Sequence, residues 1–196
     1  QTSFTCSDVG AQTETMTVTD ANGNSSNCTT SILTRDVTNP SAVCQNVTVQ
    51  LNSSGNGSTT ANDVNNGSND ACGIASVSLD VTSFDCSDEG ANPVVLTVTD
   101  NNSNSAQCTA TVTVEDNVNP VAVCQDVTVQ LDASGNGSIT TADVDNGSND
   151  ACGIASKVLS QTAFVCNEVG ANPETLTVTD VNGNVHVLSL IHISEP

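Results

Sequence analysis

The sequence predicts an all-β protein built from tandem antiparallel β-sandwich modules, and two observations carry this prediction. The first is a period of 80 residues, because the run GSNDACGIAS at residues 67–76 returns at residues 147–156 and the cysteines recur at the same spacing. The second is strand-type alternation in segments rich in Val and Thr, without convincing helical periodicity. Several short strands separated by polar turns are typical of a sandwich.

The strands of the complete module are predicted from alternation and from the turns that separate them. A polar loop rich in glycine and asparagine follows the second strand, and the last two strands form a hairpin. The sister turns contain Asn22-Gly23 and Asn182-Gly183, a pair that tolerates positive φ. The predicted strands are residues 42–51, 58–64, 74–79, 81–85, 94–100 and 106–115.

The period also divides the chain into parts. Residues 1–39 are the second half of a truncated module, residues 40–119 a complete module, and residues 120–187 a module that lacks its last strand. The period requires Cys at position 188, where Leu188 stands, and residues 188–196 no longer follow the repeat. Their back-translation resembles a sequencing-transposon adapter, so we interpret them as a non-native tail of a metagenomic fragment. The alternative is a genuine, divergent last strand.

Composition excludes several classes of partner. Two basic residues stand against 22 acidic ones, for a formal charge of -20. Such a chain repels nucleic acids and anionic membrane surfaces and attracts divalent cations. No apolar run is long enough for direct membrane insertion. Nine cysteines in a chain with almost no aromatic residues indicate a thin core held by disulfides in an oxidising, extracellular compartment.

Catalysis is not expected. His186 is the one histidine inside the module pattern, and Ala106 stands at the equivalent position of the complete module. With one Lys and one Arg in the chain, no set of nucleophile, base and oxyanion donor can be assembled. The absence of any Cys-x-x-Cys pair argues against a zinc site. We therefore predict a protein that is not an enzyme.

Four motifs of the complete module resemble the hyalin repeat. They are Asp-Ala-Cys-Gly at residues 70–73, LTVTD at 96–100, CTATVTV at 108–114 and Asn-Pro at 119–120. The resemblance covers residues 1–187 and implies immunoglobulin-like modules that occur in tandem in secreted and cell-surface proteins. The best likeness is to modules of large bacterial surface proteins, in which they act as stalks and adhesive arms.

An immunoglobulin-like sandwich favours one cysteine pairing over another. Its first and last strands begin at the same end and run as neighbours, which brings Cys44 close to Cys108. The rival model bridges the linker with Cys28–Cys44 and Cys108–Cys124, but the strand after Cys108 carries the chain away first. The remaining cysteines then pair by default. The expected bonds are Cys44–Cys108, Cys72–Cys86 and Cys152–Cys166, with Cys6, Cys28 and Cys124 unpaired.

Oxygen-rich segments are expected to converge where one module meets the next. They are the acidic loop at residues 143–150, the hairpin turn and the linker after the last strand, and carboxylate and amide oxygens suit Ca²⁺. The competing explanation is that Asp and Asn simply favour turns. The candidate ligands for structural calcium are Asp63, Asp70, Asp100, Asp116, Asn119, Asp143, Asp145, Asp150 and Asp180.

These observations predict a non-catalytic stalk or adhesive segment of a large secreted or cell-surface protein. Its partners would be neighbouring modules of the same chain, and surface glycans or other cell-surface proteins. Two alternatives belong to other classes. One is a carbohydrate-binding or spacer region of a secreted hydrolase, and the other is a self-associating extracellular filament subunit.

Overall fold

The protein is almost entirely β-structure. A computed structural model describes the backbone of residues 3–195 and the side chains of residues 3–189. The elements of the middle repeat return in the third repeat 80 residues later. The first hairpin is β1 Gly10–Thr19 and β2 Ser25–Thr34. The middle repeat has β3 Val47–Gln50, β4 Asn56–Ser58, α1 Ala61–Val64, β5 Ile74–Leu79, β6 Ser83–Asp85, β7 Gly90–Asp100 and β8 Ser105–Glu115. The third has β9 Thr128–Gln130, β10 Asn136–Ser138, α2 Thr141–Val144, β11 Ile154–Leu159, β12 Ala163–Val165, β13 Gly170–Asp180 and β14 Val185–Glu195.

Each of the two later repeats contains a four-stranded and a two-stranded sheet. The orders are β3-β8-β7-β5 and β11-β13-β14-β9 for the large sheets, and β4 pairs with β6 as β10 pairs with β12. In the third repeat the first strand, β9, runs parallel to the last strand, β14, while the other pairs are antiparallel. This parallel pairing of first and last strands confirms the immunoglobulin-like sandwich that the sequence predicts.

The core of the third repeat joins residues from both of its sheets. Leu176 and Val178 of β13 are fully buried against Phe164 of β12, and Val144 of α2 belongs to the same cluster. Gly137 of β10 lies against Val129, and a Cβ on Gly137 would lie 2.6 Å from Val129 Cγ1, which leaves no room for a side chain. The two sheets therefore close on a small aliphatic core with one aromatic ring.

Two predicted elements differ from the structure. The strand predicted at residues 42–51 is regular only over β3, since Cys44 makes an isolated bridge to Asn65. The strand predicted at residues 58–64 is wrong, because α1 follows β4 there. The cause is a capping box, in which Asp63 accepts hydrogen bonds from the backbone N–H and the hydroxyl of Thr60 at 2.8 and 2.6 Å.

Contacts divide the described chain into two compact units. One comprises the described residues up to Val47 with Thr59–Thr82 and Pro93–Val112, and the other comprises Thr48–Ser58, Ser83–Asn92 and the described residues from Thr113. The division falls inside the middle repeat. Each unit therefore includes one junction between successive repeats.

The residues after the loss of the repeat pattern form most of β14. They pair with β13 in a continuous register from Leu176↔Leu188 to Gly170↔Ser194, and Leu188 packs against the core of the third repeat. The alternating apolar residues of this segment suit a strand. The interpretation of residues 188–196 as an adapter-encoded tail stays a prediction, and Pro196 lies outside the described residues.

Both α-helices in the described part of the chain have four residues, far too few to cross a bilayer.

Candidate functional site at the repeat junctions

Disulfides link each repeat to the next. The structure joins Cys6 to Cys72 and Cys86 to Cys152, each with a sequence separation of 66 residues. A third bond, Cys44–Cys108, lies within the middle repeat, as the sequence predicts. The two cysteines of each junction come from successive repeats, so a disulfide joins the two repeats at each junction in the described chain.

This pairing corrects part of the predicted pattern. The bonds Cys72–Cys86 and Cys152–Cys166 are absent from the structure, and Cys6 is bonded rather than unpaired. The free cysteines are Cys28, Cys124 and Cys166.

Strand register gives the reason for the error. Ile154, two residues after Cys152, pairs with Asp180 at one end of β13. Cys166 precedes Gly170 at the other end of the same strand. An 11-residue strand at ~3.3 Å per residue separates its two ends by on the order of 30 Å. That is far beyond the roughly 7 Å that a disulfide can span between Cα atoms.

The local backbone holds each junction cysteine in place. Cys86 opens a short 3-10 turn, where the side chain of Asp85 accepts the N–H of Ser87 at 2.8 Å. Cys152 follows Asp150, which accepts the N–H of Cys152 at 2.8 Å. Gly55 lies against the bond with φ +72°, and a Cβ there would lie 2.6 Å from Cys86 Sγ. The glycine is therefore required both for its conformation and for its lack of a side chain.

Three carboxylates meet beside the Cys86–Cys152 bond. Asp116 comes from the linker, Asp150 from the polar loop and Asp180 from the end of β13, and one oxygen of each lies within 4.8 Å of the others. Asp116 and Asp180 are buried. Two charges at that separation repel by about 3 kcal/mol at an effective dielectric constant of about 20. A bound cation would offset this repulsion.

One oxygen in this cluster has no hydrogen bond. Asp116 is 6% exposed, and its Oδ1 accepts the N–H of Val118 at 3.0 Å. Its Oδ2 is buried and has no partner among the described residues. Asp36, the equivalent linker residue 80 positions earlier, has the same buried, unpartnered Oδ2. Since buried carboxylate oxygens are normally satisfied, the repeated exception points to a cation ligand.

The first junction has a smaller acidic cluster. Asp36 and Asp70 each offer an oxygen within 4.8 Å of the other and of Cys72 Sγ. The sulfur is committed to the bond with Cys6 and cannot act as a thiolate ligand. The sequence analysis did not single out Asp36, although the 80-residue period from Asp116 identifies it.

The hairpin aspartates are satisfied by their own turns. Asp180 Oδ1 accepts the N–H groups of Asn182 and Asn184 at 2.9 and 2.8 Å, and its Oδ2 accepts Asn184 Nδ2 at 2.8 Å. Asp100 makes the same three bonds in the middle repeat. Burial raises the pKa of the Asp100 carboxyl, but the bonds from Asn104 and its neighbours outweigh burial and hold that pKa below its usual value.

These turns also reach the linkers. Asn184 Nδ2 donates to the carbonyl of Asp116 at 3.1 Å, and Asn104 Nδ2 donates to the carbonyl of Asp36 at 3.3 Å. Both amides were missed by the sequence analysis, although they recur at the period. The hairpin turn thus orients the linker aspartate at each junction.

Four predicted ligands have other roles or positions. Asp63 and Asp143 cap the two short helices, and the bonds from the preceding threonine lower the pKa of each. Asp145 pairs with Lys157 at 2.5 Å. Asn119 is exposed in the linker. None of the three aspartates belongs to an acidic cluster among the described residues.

The Asp145–Lys157 pair replaces an uncharged arrangement. Asn65 and Val77 occupy the equivalent positions of the middle repeat. Burial raises the pKa of Asp145. The hydrogen bonds from Lys157 and Ser148 and the charge of Lys157 lower that pKa by more, so it lies below its usual value. The acidic and the basic residue therefore occur together in the third repeat and are both replaced by uncharged residues in the middle repeat, so the pair of positions has no net charge in either repeat.

The comparisons with known proteins give no family. No protein-family model and no curated protein matches the chain. Among solved structures, domains EC1–3 of mouse clustered protocadherin PcdhgC3 are 10% identical, over 95% of this chain and 77% of theirs, with a TM-score of 0.40. The cadherin domains of protocadherin gamma B7 are 13% identical, over 97% of this chain and 59% of theirs, with a TM-score of 0.38.

A bacterial protein appears in the same comparison. The Ca²⁺-stabilized adhesin with which an Antarctic bacterium binds ice is 18% identical, over 95% of this chain and 57% of its own, with a TM-score of 0.32. At these TM-scores the likenesses carry no argument about function or ligand. The fold assignment rests on the strand topology itself, and the resemblance to the hyalin repeat stays a prediction.

Proposed function

We propose that this chain is a non-catalytic structural repeat region of an extracellular protein, in which disulfides limit how far the repeats can be stretched. The observation that carries the proposal is the pairing of cysteines across both junctions, Cys6–Cys72 and Cys86–Cys152. An intracellular protein would not keep three disulfides, because cytosolic reductants break them. A spacer or stalk exposed to force outside the cell gains directly from them.

The effect on extension follows from the bond positions. Along the bonds, the covalent path from Cys6 to Cys152 passes only through the short segment between Cys72 and Cys86. That segment has about 14 residues and spans at most about 50 Å when fully extended. Without the bonds the same path has about 146 residues and reaches about 500 Å. The bonds therefore limit extension even if every strand unfolds.

Pulling single molecules by their ends tests this role. The oxidised chain should extend between Cys6 and Cys152 by about a tenth of the reduced chain's length, since its path is about tenfold shorter. The variant Cys86→Ala with Cys152→Ala should extend much further, while Cys166→Ala, which removes an unpaired cysteine, should behave as the parent. Full extension of the oxidised parent would contradict the proposal.

Calcium is the proposed structural ligand of the acidic junctions. Asp116, Asp150 and Asp180 would supply carboxylate oxygens to one ion, with the buried Oδ2 of Asp116 among them. Ca²⁺ accepts such hard oxygen ligands in flexible geometries and completes its shell with carbonyl groups or water. Binding to the folded state alone would add about 2.7 kcal/mol at a hundredfold excess over Kd.

A pair of charge-matched variants separates a specific site from general attraction of cations. In calorimetric titration with CaCl₂, Asp116→Asn should lose the binding heat and the calcium-dependent rise in Tm at the second junction. Asp126→Asn removes the same charge from an exposed position outside the clusters and should keep both. Equal binding by both variants would contradict a site at Asp116. The pulling experiment does not depend on calcium, so the two parts of the proposal fail separately.

A further inference from the structure

The disulfide that joins the middle and third repeats lies among carboxylates. Cys152 Sγ, one oxygen of Glu89 and one oxygen of Asp116 all lie within 4.8 Å of one another. Asp116 also belongs to the cluster with Asp150 and Asp180. Negative charge from the middle repeat and from the linker therefore lies directly beside one sulfur of this bond.

These two charges are not neutralised by the protein. The chain has two basic residues, and Lys157 pairs with Asp145. Neither Glu89 nor Asp116 has an ion-pair partner among the described residues. Asn182 donates a hydrogen bond to the carboxylate of Glu89, which orients this group and leaves its charge in place. Asp116 is buried, and its Oδ2 accepts no hydrogen bond from the described part of the chain.

The bond inside the middle repeat provides a comparison in the same chain. Cys44 and Cys108 are half-buried, as are Cys86 and Cys152. Among the described residues, no acidic cluster includes Cys44 or Cys108. The two bonds are therefore similarly exposed and differ in the charge beside them.

A carboxylate near a sulfur has a visible effect elsewhere in the chain. Burial and the charge of Asp126 raise the pKa of the free Cys124 thiol. Asn46 is the uncharged equivalent of Asp126 in the middle repeat, two residues after Cys44. Negative charge on a sulfur is thus disfavoured beside a carboxylate, and the Cys44–Cys108 bond lacks this one.

The first junction is less suitable for comparison. It repeats the arrangement, since Asp36 and Asp70 lie beside Cys72. Arg35, however, lines a hollow together with Cys6 and Cys72. Its positive charge opposes that of the carboxylates, so the second junction shows their effect alone.

We propose that the Cys86–Cys152 bond is a thiol-exchange site that selects its reagent by charge, accepting cationic thiols and resisting anionic ones. The reagent thiolate attacks one sulfur of the bond, and the other cysteine leaves as a thiolate with the electron pair. A second reagent thiolate then attacks the reagent sulfur of this mixed disulfide. The products are two cysteine thiols, protonated by water, and the reagent disulfide.

Neither order of attack avoids the carboxylates. When the reagent attacks Cys86, the leaving thiolate forms on Cys152, beside Glu89 and Asp116. When the reagent attacks Cys152, the incoming thiolate itself approaches these two carboxylates. In both cases negative charge grows near two fixed negative charges, which raises the barrier to exchange. An anionic group on the reagent adds to this repulsion, and a cationic group offsets it.

The selectivity protects a bond that the proposed function requires. A junction disulfide opened by small anionic thiols outside the cell would no longer limit extension. The inference rests on the proposed function for this purpose alone, because the exchange rate is measured on free chains without load. A chain that extends fully in the pulling experiment can still show the charge selectivity, so the two proposals fail separately.

Reduction of the oxidised full chain by three small thiols tests the proposal. They are cysteamine, which carries an ammonium group, mercaptoethanol, which is uncharged, and mercaptoethanesulfonate, which carries a sulfonate. The three free cysteines are first alkylated with iodoacetamide, and a chelator removes divalent cations. New thiols are then trapped with N-ethylmaleimide and assigned by mass mapping, which gives the initial rate for each bond separately.

The rate for each reagent at Cys86–Cys152 is divided by its rate at Cys44–Cys108, which cancels the intrinsic reactivity of the reagent. At low salt this ratio should be about tenfold higher for cysteamine than for mercaptoethanesulfonate, the size expected for two charges near two carboxylates in a wet site. Mercaptoethanol should lie between them. Raising the ionic strength from about 0.01 M to about 1 M should remove most of the preference, because the Debye length falls from about 30 Å to about 3 Å.

A pair of variants assigns the preference to the junction carboxylates. Glu89→Gln removes a charge beside Cys152 and should lower the preference from about tenfold to about threefold. Asp126→Asn removes the same charge from an exposed position outside the clusters and should leave the preference unchanged. Val9 and Val169 occupy the position of Glu89 in the other repeats, so loss of this carboxylate is compatible with the fold.

Three results would overturn the proposal. The first is an equal preference at Cys86–Cys152 and Cys44–Cys108, and the second is a preference that persists at high salt. The third is an equal effect of Glu89→Gln and Asp126→Asn, which would assign the repulsion to the net charge of the chain instead of the junction.

Discussion

Removing one junction disulfide should lower stability by an amount set by the loop that it closes. The change is Cys86→Ala together with Cys152→Ala, which removes the bond without leaving a reactive thiol. The bond closes a loop with a sequence separation of 66 residues. Restricting the unfolded chain by a loop of that length is worth about 4 kcal/mol at 25 °C. We expect the free energy of unfolding to fall by about that amount.

The assay is guanidinium unfolding followed by far-UV circular dichroism, since the chain has no tryptophan or tyrosine for fluorescence. Cys166→Ala is the control, because Cys166 stands 80 residues after Cys86 and is exposed and unpaired. It should change stability by less than about 0.5 kcal/mol. A loss below about 1 kcal/mol in the double variant, or one no larger than in the control, would refute the loop argument. Reduction should then destabilise the parent more than the double variant.

Three further predictions concern the same junctions and the third repeat. Gly55→Ala should cost about 1–3 kcal/mol more than Gly67→Ala in denaturant unfolding, because both have positive φ but a Cβ at Gly55 meets a sulfur of the junction bond; equal costs would contradict this. Lys157→Val should destabilise by about 1 kcal/mol and Asp145→Asn should restore the loss, as a double-mutant cycle measures. The pKa of Asp145 is lowered, so the Asp145–Lys157 ion pair adds to the free energy of unfolding at pH values above the usual aspartate pKa. This stabilisation is lost as the pH falls through the lowered pKa, which acid titration of stability checks. Cys124 should react with iodoacetamide more slowly than the other two free cysteines, because burial and the nearby Asp126 carboxylate raise its pKa; equal rates would count against that cause.

Much of the fold could be predicted from the sequence, because strand alternation and turn residues are local signals that recur in each repeat. Residues 74–79 alternate between the two faces of a strand, and the structure has β5 over the same range. The hairpin turn is equally local, and Gly23 and Gly183 adopt the expected positive φ. The helices were missed because four residues are too few to display a helical period, although the capping pair Thr60 and Asp63 was visible in the sequence.

The candidate site was predicted in outline and corrected in detail. The convergence of linker, loop and hairpin predicted Asp116, Asp150 and Asp180 at one junction, and the structure brings their carboxylates together. Asp143 was assigned to the same site because it is acidic and close in sequence to Asp150. In the structure its carboxylate caps α2 through Thr140, a contact that depends on the turn of the backbone.

By itself, the sequence determined the 80-residue period and the all-β class, because alternation and spacing along one repeat are properties of the chain. The Cys44–Cys108 bond was predicted only with the strand topology of an immunoglobulin-like sandwich added, and the structure contains it. Only the tertiary structure decided which of the other cysteines meet. Cys152 and Cys166 are near in sequence but stand at opposite ends of β13, whereas Cys86 and Cys152 are 66 residues apart and bonded. The physical reason is that an extended strand places residues that are close in sequence far apart in space. A junction between repeats brings residues that are far apart in sequence into contact.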